Sequence, residues 1–513
     1  MNDHIQLAPR LGTGESGPGS RLHRWINFKP ARIAVVTIAY VLTRAGNLSR
    51  ELVPEEGLFM MPGRELFLGH GFDLFSKPPL TSLLLGAFSF AGQDMISGAR
   101  LVPFLVGLFL SILPLLLTGS VLPSALVLLS PFFFAASAHM QTDPTVGLLG
   151  YGLFSAALFR WYTSEGKSGV GLLWCALLIL WLGKIEIAAI ATVVAAIVAI
   201  SLRPPQPRKF FLAVMRASAA GVLLFIVLTW LLGLSAGVDF SGSVGEVVRT
   251  ITRISGSLVQ VGIVEHDSDI DRRQILYGFL SEYGAPSLFA LALIPSLLSL
   301  SRESSMESPT LRRSLALLVA GIVPVVIYFA GGYVGDGFPR YFLIVFPPLL
   351  ILLGDRMGLA PRPDWIAWVV VVAGVFLMGP DIYRLWRSPA SITVARGTIG
   401  YRGAAELITA LTRRGDSILG PEPSTYYSRS RNWVMLDHLL PYPDKHAAAM
   451  VRAETLTGAI VPRLPPPPHR YDSFTGRMVE VIERKGSCRY FYGSFEIIVA
   501  RSRVCEQLFR PPA

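Results

Sequence analysis

The chain has 513 residues, 52% of them hydrophobic and only 16% charged, with a mean hydropathy of +0.50, which excludes a soluble multidomain protein and an intrinsically disordered one. Its 3 cysteines are too few for a secreted disulfide scaffold. The net charge of +11 reads as basic loops held on the inner face of a membrane and not as a nucleic-acid surface, so no nucleic-acid partner is expected.

Residues 1–32 contain Gly, Ser and Arg without a cleavage-site pattern and read as a cytoplasmic leader. Apolar segments long enough to span a bilayer follow near 33–47, 99–118, 121–138, 144–162, 169–184, 185–202, 210–236, 284–300, 314–330, 340–354 and 364–380. The expected fold is therefore an α-helical polytopic membrane protein with about eleven transmembrane helices, the first serving as insertion signal. A cytoplasmic N-terminus places Arg24, Lys29, Arg32, Arg160, Lys167, Arg203, Arg208, Lys209, Arg302, Arg312, Arg313, Arg356 and Arg362 on one side. The opposite side receives the loop after the first span, the turn at 139–143, the loop at 238–283, the turn at 331–339 and the tail.

From about 385 the composition changes. Polar periodic stretches such as 402–414 alternate with short apolar runs at 417–419 and 459–461, broken by prolines at 465–468, which predicts a small exoplasmic α/β domain over 385–513. Cys488 and Cys505 lie in it, and an oxidising compartment permits a disulfide between them as well as two free thiols. Cys175, inside a span, is expected to serve packing. No repeat of fixed period is present.

Charges are costly beside the hydrocarbon layer, so those retained at span ends on one face are the first candidates for chemistry. They cluster after the first span in Pro54-Glu55-Glu56-Gly57-Leu58-Phe59, Gly63-Arg64-Glu65-Leu66-Phe67, Gly69-His70-Gly71 and Phe75-Ser76-Lys77-Pro78-Pro79-Leu80. The acidic pair and Arg64-Glu65 lie about two and a half helical turns apart, so an amphipathic helix on the membrane surface would carry both on one polar edge. Arg64 and Glu65 read as a structural salt bridge and His70, between two glycines, as a turn residue. Pro78 disfavours helical geometry at Lys77, which is expected on an extended turn with its ammonium group presented.

This order, continued by Ala99-Arg100-Leu101, resembles the first exoplasmic loop of the membrane glycosyltransferases of GT-C fold. Within them it is most similar to the polyprenyl-phosphate-dependent group that includes the protein O-mannosyltransferases and the lipid A aminoarabinose transferases. The match is dense over 55–105. Looser matches are Asp143 in His139-Met140-Gln141-Thr142-Asp143-Pro144, Lys184 in Leu182-Gly183-Lys184, and Pro339-Arg340-Tyr341 followed by Pro347.

The resemblance implies a GT-C domain over 33–384 with its catalytic loop at 48–98. The implied reaction moves a sugar from a polyprenyl phosphate to an acceptor hydroxyl outside the membrane, with inversion. Such a reaction needs a carboxylate to take the acceptor's proton and fixed cations to hold the departing phosphate. The family's proposed base is the Asp of an Asp-Glu pair, and Glu55 stands in its place here with one extra methylene, so Glu56 is the alternative. Lys77, Lys184 and Arg340 are the phosphate-binding candidates, Asp143 an orienting carboxylate, and Arg64, His70 and Tyr341 substrate-loop residues.

Each role has a plainer rival. The rivals are a solvated acidic loop for Glu55 and Glu56, snorkelling for Lys77, Lys184 and Arg340, a helix N-terminus with proline at its first position for Asp143, and packing or a headgroup contact for Arg100. No cofactor is expected. His266, Asp267, Asp269 and Asp271 read as a polar loop more readily than as a divalent-ion site, since their spacing matches no ligand pattern. The implied partners are a polyprenyl-phosphate-linked sugar, an acceptor glycan, lipid or protein, and membrane lipids, in a bacterial inner membrane with the active site facing the periplasm. The competing readings are a transporter or flippase for a lipid-linked sugar, which would place charges near the midplane and show repeated halves, and a non-catalytic scaffold.

Overall fold

A computed structural model of the chain describes residues 29–49, 56–69, 78–92, 94–235, 285–300, 308–330, 340–358, 372–377, 379–380, 400–413, 415–421, 432–435, 454–462, 473–492 and 495–500, with a few isolated positions besides. Helix α1 (Lys29–Arg44) ends in a 3-10 turn at Ala45–Ser49. Next come α2 (Glu56–Phe67), α3 (Pro79–Phe88) and the long α4 (Met95–Thr118). Asp94 starts α4 with a capping box, its carboxylate accepting the N–H groups of Ile96 and Ser97 while Ser97 Oγ accepts that of Asp94. Gly119 ends it in left-handed geometry.

The expected span at 121–138 is two helices, α5 (Leu122–Leu129) and α6 (Pro131–Ala136). Pro131 excludes helical geometry at Ser130, which is extended at φ −75° and ψ 120° and caps α6 by accepting the N–H of Phe133. A π-helical turn at Asp143–Gly147, with Pro144 at its start, leads into α7 (Leu148–Thr163) in place of the ordinary helix start that was the plainer alternative for Asp143. Then follow α8 (Val170–Gly183), α9 (Ile185–Ile197) with a π-helical turn at Val198–Leu202, α10 (Pro207–Ser235), α11 (Ala285–Leu300) and α12 (Pro309–Ala330). A 3-10 turn at Arg340–Val345 precedes α13 (Phe346–Gly358).

Among the described residues 4 helices are long and apolar enough to cross a bilayer, at Met95–Thr118, Ile185–Leu202, Pro207–Ser235 and Pro309–Ile327. Val170–Gly183 and Ser287–Leu300 are apolar but shorter, and of the expected span at 364–380 residues 372–377 are described as helix with 369, 379 and 380, the rest lying outside the described residues. One large core joins α4, α7, α8, α9, α12 and α13, with Phe132, Tyr151, Phe154, Trp161 and Phe346 among its fully buried side chains. Cys175 is exposed on α8 and does not pack, contrary to expectation.

Helices α2 and α3 meet backbone to backbone. A Cβ on Gly63 would lie 1.9 Å from the carbonyl oxygen of Ser82, and one on Gly86 would lie 2.3 Å from the carbonyl carbon of Gly63. The polar edge expected to join Glu56 with Arg64 and Glu65 is not formed: Glu56 is fully buried, one of six buried residues of α2.

The later residues form a five-stranded sheet of β1 (Ser417–Gly420), β2 (Asn432–Met435), β3 (Leu456–Pro462), β4 (Ser487–Tyr492) and β5 (Phe495–Ala500), in the order β2-β1-β3-β5-β4. The β1 pairings with β2 and β3 are parallel, and β5 runs antiparallel to both β3 and β4. Alternation sends Ile418, Ile460 and Ile497 to one face, against Ala404 and Ile408 of α14 (Tyr401–Leu411). Leu419, Val461 and Ile498 face the other way, against Met478 and Ile482 of α15 (Ser473–Arg484). Cys488 is disulfide-bonded, and Cys505 lies outside the described residues.

Because nothing can be added at Gly63 without moving the Ser82 backbone, Gly63→Ala is expected to cost about 1–3 kcal/mol or more by overpacking. Gly171→Ala, on α8 with open space where its Cβ would go, is expected to be neutral or slightly stabilising. Thermal unfolding of the detergent-solubilised protein compares the two; an equal effect at both positions contradicts the close contact.

Candidate active site

Three stretches distant in sequence converge: the start of α2, the second turn of α4, and the segment 137–143 between α6 and the π-helical turn. Glu56 opens α2 and is buried, as are Arg100 of α4, His139 and Asp143. Arg100 Nη2 donates to Glu56 Oε2 at 2.9 Å and Nη1 to Oε1 at 3.4 Å. Arg100 also donates to the carbonyl of Ala138. Glu56 Oε1 accepts the backbone N–H of Met140 at 2.9 Å and lies 3.7 Å from His139 Nδ1. One carboxylate therefore ties α2, α4 and the 137–143 segment into a single bonded unit. Neither a headgroup contact for Arg100 nor a solvated setting for Glu56 fits this geometry.

The same segment is held from the other side by α1. Arg44 is buried with its guanidinium donating to the carbonyls of Val127 at 3.2 Å and Leu128 at 3.0 Å, the open C-terminal end of α5. It also lies over the ring of Phe134, 4.7 Å from the centroid. A cation suits that end of a helix. Asn47 donates to the Phe134 carbonyl at 3.0 Å and to Ser137 Oγ at 2.8 Å. The chain broken by Pro131 thus has its freed carbonyls satisfied by α1 and the turn after it.

Asp143 faces Lys184. The ammonium nitrogen lies 3.6 Å from Asp143 Oδ1, with the lysine side chain 14% exposed and the aspartate 2%. Lys184 is extended at φ −156° and ψ 90°, joining α8 to α9, so its side chain projects from a junction and not from a helix face. The close approach depends on Gly183, where a Cβ would stand 2.4 Å from Val146 Cγ2 in the π-helical turn. Arg64 pairs with Ser89, donating to its Oγ at 2.9 Å, and stacks over Phe90 at 4.5 Å, in place of the expected salt bridge with Glu65.

Glu55, His70 and Lys77 lie outside the described residues, as do the side chains of Arg340 and Tyr341 and the 266–271 cluster. Among the described residues no group of three or more His, Cys, Asp or Glu is placed to hold a metal ion. Of the candidates read from sequence, the structure brings Glu56, Asp143 and Lys184 to the ends of one short segment and sets Arg64 apart from them. Sequence reading passed over Arg44, Asn47 and His139. The signal for Arg44 was there: a lone arginine within an otherwise apolar first span.

No family model matches the chain, and no curated protein matches it. Among solved structures, ArnT from Cupriavidus metallidurans in the apo state superposes with a TM-score of 0.59 at 14% identity, covering 95% of this chain and 99% of that one. The same protein bound to undecaprenyl phosphate gives a TM-score of 0.57 at 13% identity, covering 94% and 99%. The chain therefore has the GT-C fold of ArnT over nearly its whole length and, with its apolar helices, is an integral membrane protein.

Breaking a buried ion pair by removing one partner costs about 3–5 kcal/mol. Arg100→Met is expected to lower stability by that order, and Glu56→Gln by a similar or smaller amount. The double variant should be less destabilised than the sum of the two singles. Unfolding of purified variants in one detergent tests this, and strictly additive losses would show that the two side chains do not interact.

Proposed function

From the fold shared with ArnT we propose that this chain is a membrane glycosyltransferase that uses a polyprenyl-phosphate-linked sugar and an acceptor hydroxyl. The observation that carries the proposal is a fold neighbour, matching 94% of this chain, with undecaprenyl phosphate bound. In the proposed organisation residues 1–32 are cytoplasmic, 33–384 form the transmembrane transferase with its catalytic loop at 48–98, and 385–513 form an α/β domain on the exoplasmic side. The membrane is a bacterial inner membrane, so the reaction faces the periplasm. The acceptor is a glycan, lipid or protein of the cell envelope.

In the proposed step the acceptor oxygen attacks the anomeric carbon, the bond from that carbon to the phosphate oxygen breaks with its electron pair, and the configuration inverts. The acceptor's proton passes to a carboxylate. We assign that carboxylate to Glu55. Both oxygens of Glu56 already accept hydrogen bonds from Arg100 and the Met140 N–H, which fits a residue that fixes the start of α2 better than one that moves a proton. The departing polyprenyl phosphate is dianionic and needs fixed positive charge. Lys77, Lys184 and Arg340 are proposed to supply it, a lysine as a point charge and the arginine with a planar fork. Asp143, 3.6 Å from the Lys184 ammonium, aims that lysine. No metal is needed in this scheme.

Release of free polyprenyl phosphate by the purified protein, across a panel of lipid-linked sugars with envelope lipid and protein as acceptors, tests the proposal. Glu55→Gln is expected to lose about 10²–10⁴-fold in turnover, the range for a general base. Glu56→Gln should lose less turnover and more stability, and Lys184→Met should weaken donor use and also lower stability, because it removes the cation that faces the buried Asp143 carboxylate. Full turnover in Glu55→Gln would move the base elsewhere. A well-folded protein that turns over no donor of the panel, and instead moves a lipid-linked sugar between leaflets, would replace the transferase by a flippase.

A further inference from the structure

Helices α4 and α7 carry Arg100 and the approach to Asp143 at one end of the bundle. Their other ends lie about 24 Å away along the helix axes, at 1.5 Å per residue. There they line an open cavity of about 530 Å³ together with the first residue of α1, the start of α12 and the last turn of α13. Its polar wall includes Lys29, Arg160, Arg313 and Asp355, and its apolar wall includes Leu116 and Phe159.

The charges are unevenly used. Arg313 is bound to Asp355 through three hydrogen bonds of 2.7–3.1 Å, so these two side chains neutralise each other. Lys29 gives one of its three protons to the Leu116 carbonyl at 2.9 Å and is otherwise exposed. The exposed guanidinium of Arg160 has no hydrogen bond or ion pair among the described residues. Among the described residues that line it, the cavity thus holds a net charge of about +2, from one ammonium and one guanidinium, with Asp355 already taken by Arg313. Leu116, 39% exposed, continues its apolar wall onto the outer surface of α4.

We propose that this cavity binds the phosphate headgroup of an anionic phospholipid from the leaflet at the basic end of the bundle. The phosphate lies between Lys29 and Arg160, where the guanidinium offers two parallel donors. The glycerol and first methylenes lie along Leu116, and the acyl chains follow the outside of α4. A freely diffusing phosphate would use the cations and leave the apolar wall empty; a lipid uses both. Basic pockets between helices at this depth are suited to acidic headgroups. The site is separate from the proposed sugar-transfer centre and stands whether or not that activity is found.

The test is binding of phosphatidylglycerol and phosphatidylcholine to the full-length, delipidated protein in neutral detergent, read by native mass spectrometry of retained lipid. Retention of phosphatidylglycerol over phosphatidylcholine, unaffected by millimolar inorganic phosphate, is the expected result. Lys29→Gln combined with Arg160→Gln should weaken it by at least about tenfold, the order for removing two basic contacts to an acidic lipid. Arg160→Glu, at an exposed position where folding is not at stake, should weaken it as much. Arg208→Gln, an exposed basic position in the first turn of α10, should change nothing. Equal retention of both lipids, or undiminished retention in both cavity variants, overturns the proposal. Displacement of the lipid by inorganic phosphate would assign the cavity to a soluble anion instead.

Discussion

A carboxylate and a guanidinium, each 1% exposed, face each other inside a bundle built of leucine, valine and phenylalanine. Taking either charge alone out of water would cost several kcal/mol, so neither can be buried without the other. That constraint decides how the first loop is placed. Glu56 can be buried only where Arg100 meets it, and Arg100 is fixed by the capped start of α4, so α2 has one admissible position. Met140 N–H and the Ala138 carbonyl complete the pair's hydrogen bonding, which draws in the segment ahead of Asp143. Leu52, Phe59, Met60, Leu85, Ala99 and Val102 then pack around the pair, shielding it from water and strengthening the attraction inside.

A second consequence of the apolar setting is that interrupted helices need partners for their open ends. The chain is interrupted twice near the candidate site, at Ser130 before a proline and at Lys184 between α8 and α9. The first break is answered by Arg44 and Asn47, side chains of the opening span and the turn after it. The second is answered locally, since the Lys184 N–H still reaches the Leu180 carbonyl and the Ala188 N–H reaches that of Lys184. Irregular backbone is thereby confined to places where its polar groups find partners within the protein.

What the sequence made legible follows the range of the interactions. Hydropathy located long apolar helices such as α4, α9, α10 and α12, because burial in lipid is a property of each residue. The strands around Ile418 and Ile460 were visible as short apolar runs between polar turns, and the resemblance pointed to the fold that ArnT shares. Partners separated by many residues were not visible. Nothing near Glu56 in sequence announces Arg100, and the i,i+1 neighbours Arg64 and Glu65 suggested a salt bridge although helical geometry points adjacent side chains apart. The break at Pro131 was concealed by an unbroken apolar run, in which hydropathy outweighed the proline. Cys175 was misplaced because composition does not say which face of a helix meets lipid.

The contact of Gly63 with Gly86 also bears on the segment 68–78, which joins α2 to α3 and carries Lys77. Docking the two helices without intervening side chains brings the ends of that segment together before any ligand arrives. Closing a loop is an entropic cost that depends on uniting its ends, and here the fold itself meets it. Two residues with no side chains thereby fix how far apart the chain must leave one helix and enter the next.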